Sequence, residues 1–279
     1  MNVGDIVEAR EELQQLEKKY GTPFYLFNKE KLSKNYDEIE TAFTSRYEKF
    51  IIGYSYKTNY LPYLCNLVKN KGAYAEVVSR IEYDLALKIG QNPSQIIFNG
   101  PVKHYEDIEV ALDNKSIVNL DSWYELEYVR NYAMQHPDRL VKVGLRVNIN
   151  LKDKKGFSHI QDGLSTGRFG FSVGERGLVQ AIESLKKLEN IKINCLHGHT
   201  STSSRSPWVY ETITRTLCDL AVEYLGESIG YIDVGGGIYG KMPKVMGGEG
   251  FPSFDDYAKT ICGVMNEYTW PQNKRPYLI

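Results

Sequence analysis

The chain has 279 residues, 42% hydrophobic and 25% charged, with 34 basic against 35 acidic side chains and a formal net charge of -1. That composition belongs to a globular protein with room for a sizeable core, and its even charge balance offers no handle to nucleic acid or an anionic membrane. No apolar run approaches the ~18 residues that span a bilayer, no export leader opens the chain, and the four cysteines lack CxxC spacing. Reduced thiols and a cytoplasmic location follow as expectations.

Residues 6–19 are polar and helix-prone, and Gly21-Thr-Pro23 interrupts them, separating an N-terminal helical segment, 1–22, from a second region, 23–279. The short apolar run 24–27 reads as a strand and residues 29–47 as a helix. Residues 50–57 are apolar and aromatic, a buried strand that delivers Lys57 at its end. Poor solvent there would favour the neutral amine and make Lys57 an imine-forming nucleophile. The plainer alternative is a lysine that snorkels into water.

Beyond Lys57, short apolar runs alternate with amphipathic stretches. The further strands are 73–78, 95–98, 116–120, 141–147, 191–197, 231–234 and 276–279, which makes eight with the lysine strand. Helical faces appear at Ile108, Ala111 and Leu112; at Leu126, Val129 and Ala133; at Leu178, Ile182 and Leu185; at Ile213, Leu217 and Leu220; and at Tyr257, Ile261 and Val264. Ser122 and Glu125 have capping-box spacing, and Ser206 precedes Pro207 as an N-cap before a first-turn proline. Alternation of this kind predicts an α/β fold, a (β/α)8 TIM barrel of ~250 residues. The last strand, stopping at Ile279, reads as incomplete and the chain as a piece of a longer protein. Two long loops, 150–167 and 240–252, follow strands on the face where barrels keep active sites.

Residues near the carboxyl ends of barrel strands converge on one mouth. Here they are Lys57, Glu76, Asn99, Asp121, Arg146, His197, His199 and Gly235 to Gly237. An amine, carboxylates, a guanidinium, imidazoles and a glycine loop suit an anionic, carbonyl-bearing cofactor. The glycine run also satisfies G-x-G-x-x-G, but residues 241–243 open no helix and too little chain follows for a dinucleotide unit. Consecutive glycines instead let backbone N–H groups approach a phosphate, or form an ordinary turn. His197 and His199 have no third ligand at a fixed spacing, so no metal is assigned. Arg146, if buried, needs an anionic partner, whether a ligand or a structural ion pair.

Nine motifs in one order carry a resemblance: Tyr-Gly-Thr-Pro-Phe-Tyr (20–25), Tyr-Ser-Tyr-Lys-Thr-Asn (54–59), Ala-Glu-Val-Val-Ser (75–79), Phe-Asn-Gly-Pro (98–101), Asn-Leu-Asp-Ser (119–122), Leu-Arg-Val-Asn (145–148), Arg-Phe-Gly (168–170), Leu-His-Gly-His (196–199) and Asp-Val-Gly-Gly-Gly (233–237). The chain resembles the barrel domain of the fold-type III pyridoxal 5'-phosphate decarboxylases, nearest to the diaminopimelate, ornithine and arginine decarboxylase branch. The resemblance implies an alanine racemase-like barrel whose C-terminal β-domain is missing. It makes Lys57 the Schiff-base lysine, His199 the imidazole stacked on the cofactor ring, and Gly235, Gly236 and Gly237 the phosphate cradle. Thr202 stands where the family has a phosphate-contacting serine, Glu76 where relatives often have aspartate, and Arg146 joins the cofactor-binding set.

It further implies decarboxylation of a small amino acid, diaminopimelate or a related basic one, and a homodimer when full length, with the chain inactive alone. An amino-acid racemase on the same barrel and a non-catalytic pyridoxal-phosphate-binding protein are the alternatives.

Overall fold

Parallel strands covered on both faces are buried along their length. The central strands behave this way: residues 96–98 and 117–120 are buried at every position. The computed structural model describes residues 3–149, 151, 167–173, 177–199, 205–240 and 250–279. Its strands are β1 (Gly53–Ser55), β2 (Tyr74–Val77), β3 (Ile96–Phe98), β4 (Ile117–Leu120), β5 (Val141–Asn148), β6 (Phe171–Ser172), β7 (Ile191–His197), β8 (Tyr231–Asp233) and β9 (Tyr277–Leu278). All pair in parallel in the order β1-β2-β3-β4-β5-β7-β8-β9, with β6 attached to β5 off this path. The ring closes because Leu278 also pairs with Phe50: Ile51 N donates to Leu278 O at 2.8 Å, and Leu278 N to Lys49 O at 2.8 Å. The (β/α)8 expectation is met.

The helices are α1 (Val3–Tyr20), α2 (Lys29–Thr44), α3 (Pro62–Asn70), α4 (Arg80–Lys88), α5 (Tyr105–Asp113), α6 (Trp123–Gln135), α7 (Gly177–Lys186), α8 (Pro207–Leu220) and α9 (Phe254–Glu267). The chain forms two compact units, Met1–Asn35 and Tyr36–Ile279. The first contains α1 and the start of α2; the second contains the ring and α3 to α9. Among the described residues no helix is long and apolar enough to cross a membrane.

Short polar side chains start the barrel helices where orphan amides need acceptors. Ser253 and Asp256 exchange the reciprocal bonds of a capping box at α9, and Asp107 accepts from His104 N at 2.9 Å at α5. Pro207 occupies the first turn of α8 after Ser206. At α6 the expected box does not form. Ser122 makes no side-chain cap bond, and Glu125 Oε2 accepts instead from Asp121 N at 2.7 Å, because its carboxylate is drawn to Lys103.

Residues 24–27 form no strand, and Tyr25 and Leu26 are exposed. Aromatic residues favour strands only beside a partner ladder, and among the described residues no strand pairs with this run. β1 is shorter than the expected 50–57, ending at Ser55. The closing strand, expected to be incomplete, is bonded on both edges at Tyr277–Leu278. Two helices that the reading of faces did not single out, α3 and α4, complete the alternation, and β6 is a further addition. Most of the two long loops lies outside the described residues.

A large apolar cluster packs the strands against the surrounding helices. A smaller one lies inside the ring, where Ile97, Ile117 and Cys195 pack with Tyr74, Tyr231 and Ile279. All four cysteines are buried and free.

Candidate active site

Successive residues of a strand face opposite sides, so residues two apart share a side. Two positions beyond the inner apolar cluster, the same strands present polar groups: Tyr74 is followed by Glu76, Ile97 by Asn99, Ile117 by Asn119 and Cys195 by His197. Tyr231 is followed by Asp233, while Gly144 is followed by Arg146. Arg146, His197 and Asp233 are paired in register across β5, β7 and β8.

Asp233 is the hub of this layer. Its Oδ2 lies 2.9 Å from His197 Nδ1 and accepts from Asn99 Nδ2 at 3.3 Å, while its Oδ1 accepts from Gly235 N at 2.9 Å. Asn119 Nδ2 donates to Asn99 Oδ1 at 2.6 Å. Burial opposes ionisation of Asp233, but His197, the Gly235 amide and Asn99 outweigh it and hold the carboxyl below its usual range. Across the mouth, Arg146 Nη1 meets Asp121 Oδ1 at 2.9 Å, and its guanidinium lies over the Phe169 ring at 4.7 Å.

His199 follows β7, with its ring near-parallel to that of His197 at 6.4 Å. Its Nδ1 accepts from Gly236 N at 3.3 Å, which joins the imidazole to the glycine loop. Burial, followed by the charges of His197, Lys57 and Arg146, pushes its pKa down to about 3, so the ring is neutral at physiological pH. Gly235 and Gly237 have φ of 70° and 106°, conformations that favour glycine. A Cβ on Gly235 would stand 2.8 Å from Gly198 O, whereas one on Gly236 would meet nothing within 4 Å.

Lys57 departs from expectation. It lies in the turn after β1, with its side chain exposed, so the poor solvent of a buried strand end is absent. The reason is local: Thr58 Oγ1 and Thr58 N both donate to Ser55 O and turn the chain. Tyr56 buries its ring in the outer core, and Lys57, past the end of the ladder, is left exposed. Lys57 is nevertheless part of the cluster, since its charge is felt by both Glu76 and His199. Burial raises the Glu76 carboxyl pKa, against the pull of Ser55, Lys57 and His197. Thr202 and its neighbours 200–204 lie outside the described residues.

The structure thus groups Lys57, Glu76, Arg146, His199 and Gly235 to Gly237 around one mouth. The reading of strand ends missed Asn119 and Asp233, each of which appeared only inside a motif. Their signal was available, because each stands two residues beyond an inward apolar side chain. Lys103 and Glu125 left no such signal.

A closed parallel ring with polar side chains at the strand ends defines an α/β barrel protein with its candidate site at the mouth. The pattern of the pyridoxal-binding domain of pyridoxal-dependent decarboxylases matches residues 30–279. The chain is 31% identical over 268 residues to diaminopimelate decarboxylase of Methanocaldococcus jannaschii, covering 91% of this chain and 58% of that protein. It is 28% identical over 229 residues to the Aquifex aeolicus diaminopimelate decarboxylase, covering 81% and 53%. The crystal structure of Helicobacter pylori diaminopimelate decarboxylase complexed with L-lysine superposes with a TM-score of 0.77 at 25% identity, covering 96% of this chain and 64% of that one. The chain belongs to the pyridoxal-dependent decarboxylase family, of which it carries the pyridoxal-binding domain, and its cofactor is pyridoxal 5'-phosphate. It spans a little over half the length of these two curated relatives.

Proposed function

We propose that this barrel, residues 23–279, serves the decarboxylation of an amino acid, diaminopimelate or a related basic one, with Lys57 as the residue that holds pyridoxal phosphate. The convergence of Lys57, Glu76, Arg146, His199 and the glycine loop at one mouth, in a chain of this family, carries the reading. When bound, the cofactor supplies an electron sink for the pair released as the substrate carboxylate departs as CO₂.

The residues present fit that group. Left-handed glycines at 235 and 237, with open space beside Gly236, suit the close approach of a phosphate to backbone amides. Ser55, whose hydroxyl acts on Glu76, and Asn119, beside Cys195, add polar side chains to the same interior. Thr202 would add a hydroxyl to the phosphate.

Exposure makes Lys57 Nζ accessible to a carbonyl at the mouth, and Glu76, its carboxyl pKa raised by burial, is suited to exchange a proton with that amine. His199, neutral and held at Nδ1 by the Gly236 amide, would lay an uncharged ring against the cofactor. Arg146, neutralised on one side by Asp121, would direct its remaining donors to an anionic group. A cytoplasmic location is supported by four free, buried cysteines. A homodimer when full length is supported by the water-facing Lys57, since a partner covering the mouth would exclude solvent.

Borohydride reduction of the pyridoxal-phosphate-loaded chain, followed by peptide mapping, should place the label on Lys57; a label elsewhere refutes that role. CO₂ release from diaminopimelate, lysine, ornithine and arginine then tests the reaction. Absence of release in a form extended to the length of the relatives would overturn it.

A further inference from the structure

Next to the mouth lies an ion pair with no solvent exposure on either side chain. Lys103, in the loop after β3, places Nζ 2.9 Å from Glu125 Oε2 in the first turn of α6, and also donates to Gly100 O. The same Glu125 oxygen accepts from Asp121 N at 2.7 Å. Asp121 spans the next gap, its Oδ1 meeting Arg146 Nη1 at 2.9 Å and its Oδ2 accepting from Gly170 N at 3.2 Å. One buried chain of alternating contacts, Lys103 to Glu125 to Asp121 to Arg146, thus ties the loops after β3 and β4 to the end of β5. Two positive and two negative charges balance within it.

We propose that Lys103 and Glu125 are positioning residues for Arg146: the pair fixes the turn between β4 and α6 so that Asp121 presents its carboxylate to the guanidinium. The proposal rests on the reading of Arg146 as part of the cofactor site. Stability alone is a poor account of the pair, because apolar side chains of similar volume usually stabilise a core as well or better. Burial draws the Lys103 amine down and the Glu125 carboxyl up, so each depends on its partner to stay charged. What an apolar pair could not supply is the acceptor for the Asp121 amide. Gly170, whose amide meets the far side of Asp121, has φ 79° and would bring a Cβ to 2.6 Å from Arg146 O, so that side is closely fitted too.

The test is the double variant Lys103→Met/Glu125→Leu, which removes the acceptor without stranding a charge. Its melting temperature should stay within about 5 °C of the parent, while the Kd for pyridoxal 5'-phosphate, from absorbance titration, should rise about tenfold. Placed in an Arg146→Gln background, the same double change should alter Kd less than about twofold, because the pair acts through that arginine. Parent-like Kd in the folded double variant, or an equal loss in both backgrounds, overturns the proposal. If Arg146→Gln alone leaves Kd unchanged, the reading of Arg146 falls and the proposal with it, an outcome distinct from the first two. Should the double variant not fold, Lys103→Leu/Glu125→Met, which also removes the acceptor without stranding a charge, run through the same cycle decides: loss confined to the Arg146 background supports the proposal, and equal loss in both overturns it.

Discussion

The two layers inside the ring differ by one pleat and by everything chemical. The lower, Ile97, Ile117 and Cys195 with Tyr74, Tyr231 and Ile279, is apolar and closed. The upper, two residues further along the same strands, holds Glu76, Asn99, Asn119, Arg146, His197 and Asp233. Two strand residues advance ~6.6 Å, so a packed core becomes a polar site within a single step. The lower layer excludes water by packing, whereas the upper must satisfy every buried donor and acceptor by pairing. A substitution below should therefore act on stability, and one above on order and binding as well.

The largest effect should come from Asp233→Ala, which leaves His197 Nδ1, Asn99 Nδ2 and the Gly235 amide without their acceptor. Urea unfolding should show a loss of about 3–5 kcal/mol, accompanied by loss of cofactor binding. Ile97→Ala, in the lower layer, should cost about 2–4 kcal/mol through the cavity it opens, yet leave the Kd for pyridoxal phosphate of the folded molecules unchanged. A Kd shift there would blur the division between the layers. Gly236→Val sharpens it from the other side. Its Cβ meets nothing within 4 Å among the described residues, so melting temperature should hold while Kd rises about tenfold, near 1.4 kcal/mol; unchanged affinity would make the loop a mere turn.

The remaining check is a pH slope. The folded pKa of His199 is about 3 against an ordinary value of 6.5, so within that window the unfolded chain binds more protons. Stability should fall as pH drops from 6.5 towards 3, and His199→Gln should lose less over the same interval. Identical slopes in parent and variant would show that burial does not hold the imidazole neutral.

The alternation of strands and helices, the eight ring strands and the polar residues at their ends were readable in the chain, because burial on both faces writes apolar runs and helices write their own period. Seven of the eight candidate site residues, from Lys57 through Gly237, fall at the mouth; Thr202 lies outside the described residues. Local pattern was less able to say where a strand stops: the ladder ends at Ser55, and Lys57 stands in water.

Sequence alone determined which side chains sit two residues past the apolar layer, since a strand's period is a local property. Tertiary structure decided their partners. Asn99 meets Asp233 across 134 positions, and Glu125, spaced for a helix cap, is taken by Lys103. A buried charge binds whichever opposite charge the fold brings within about 3 Å, and that neighbour is set by strand order and register, which no run of adjacent residues encodes.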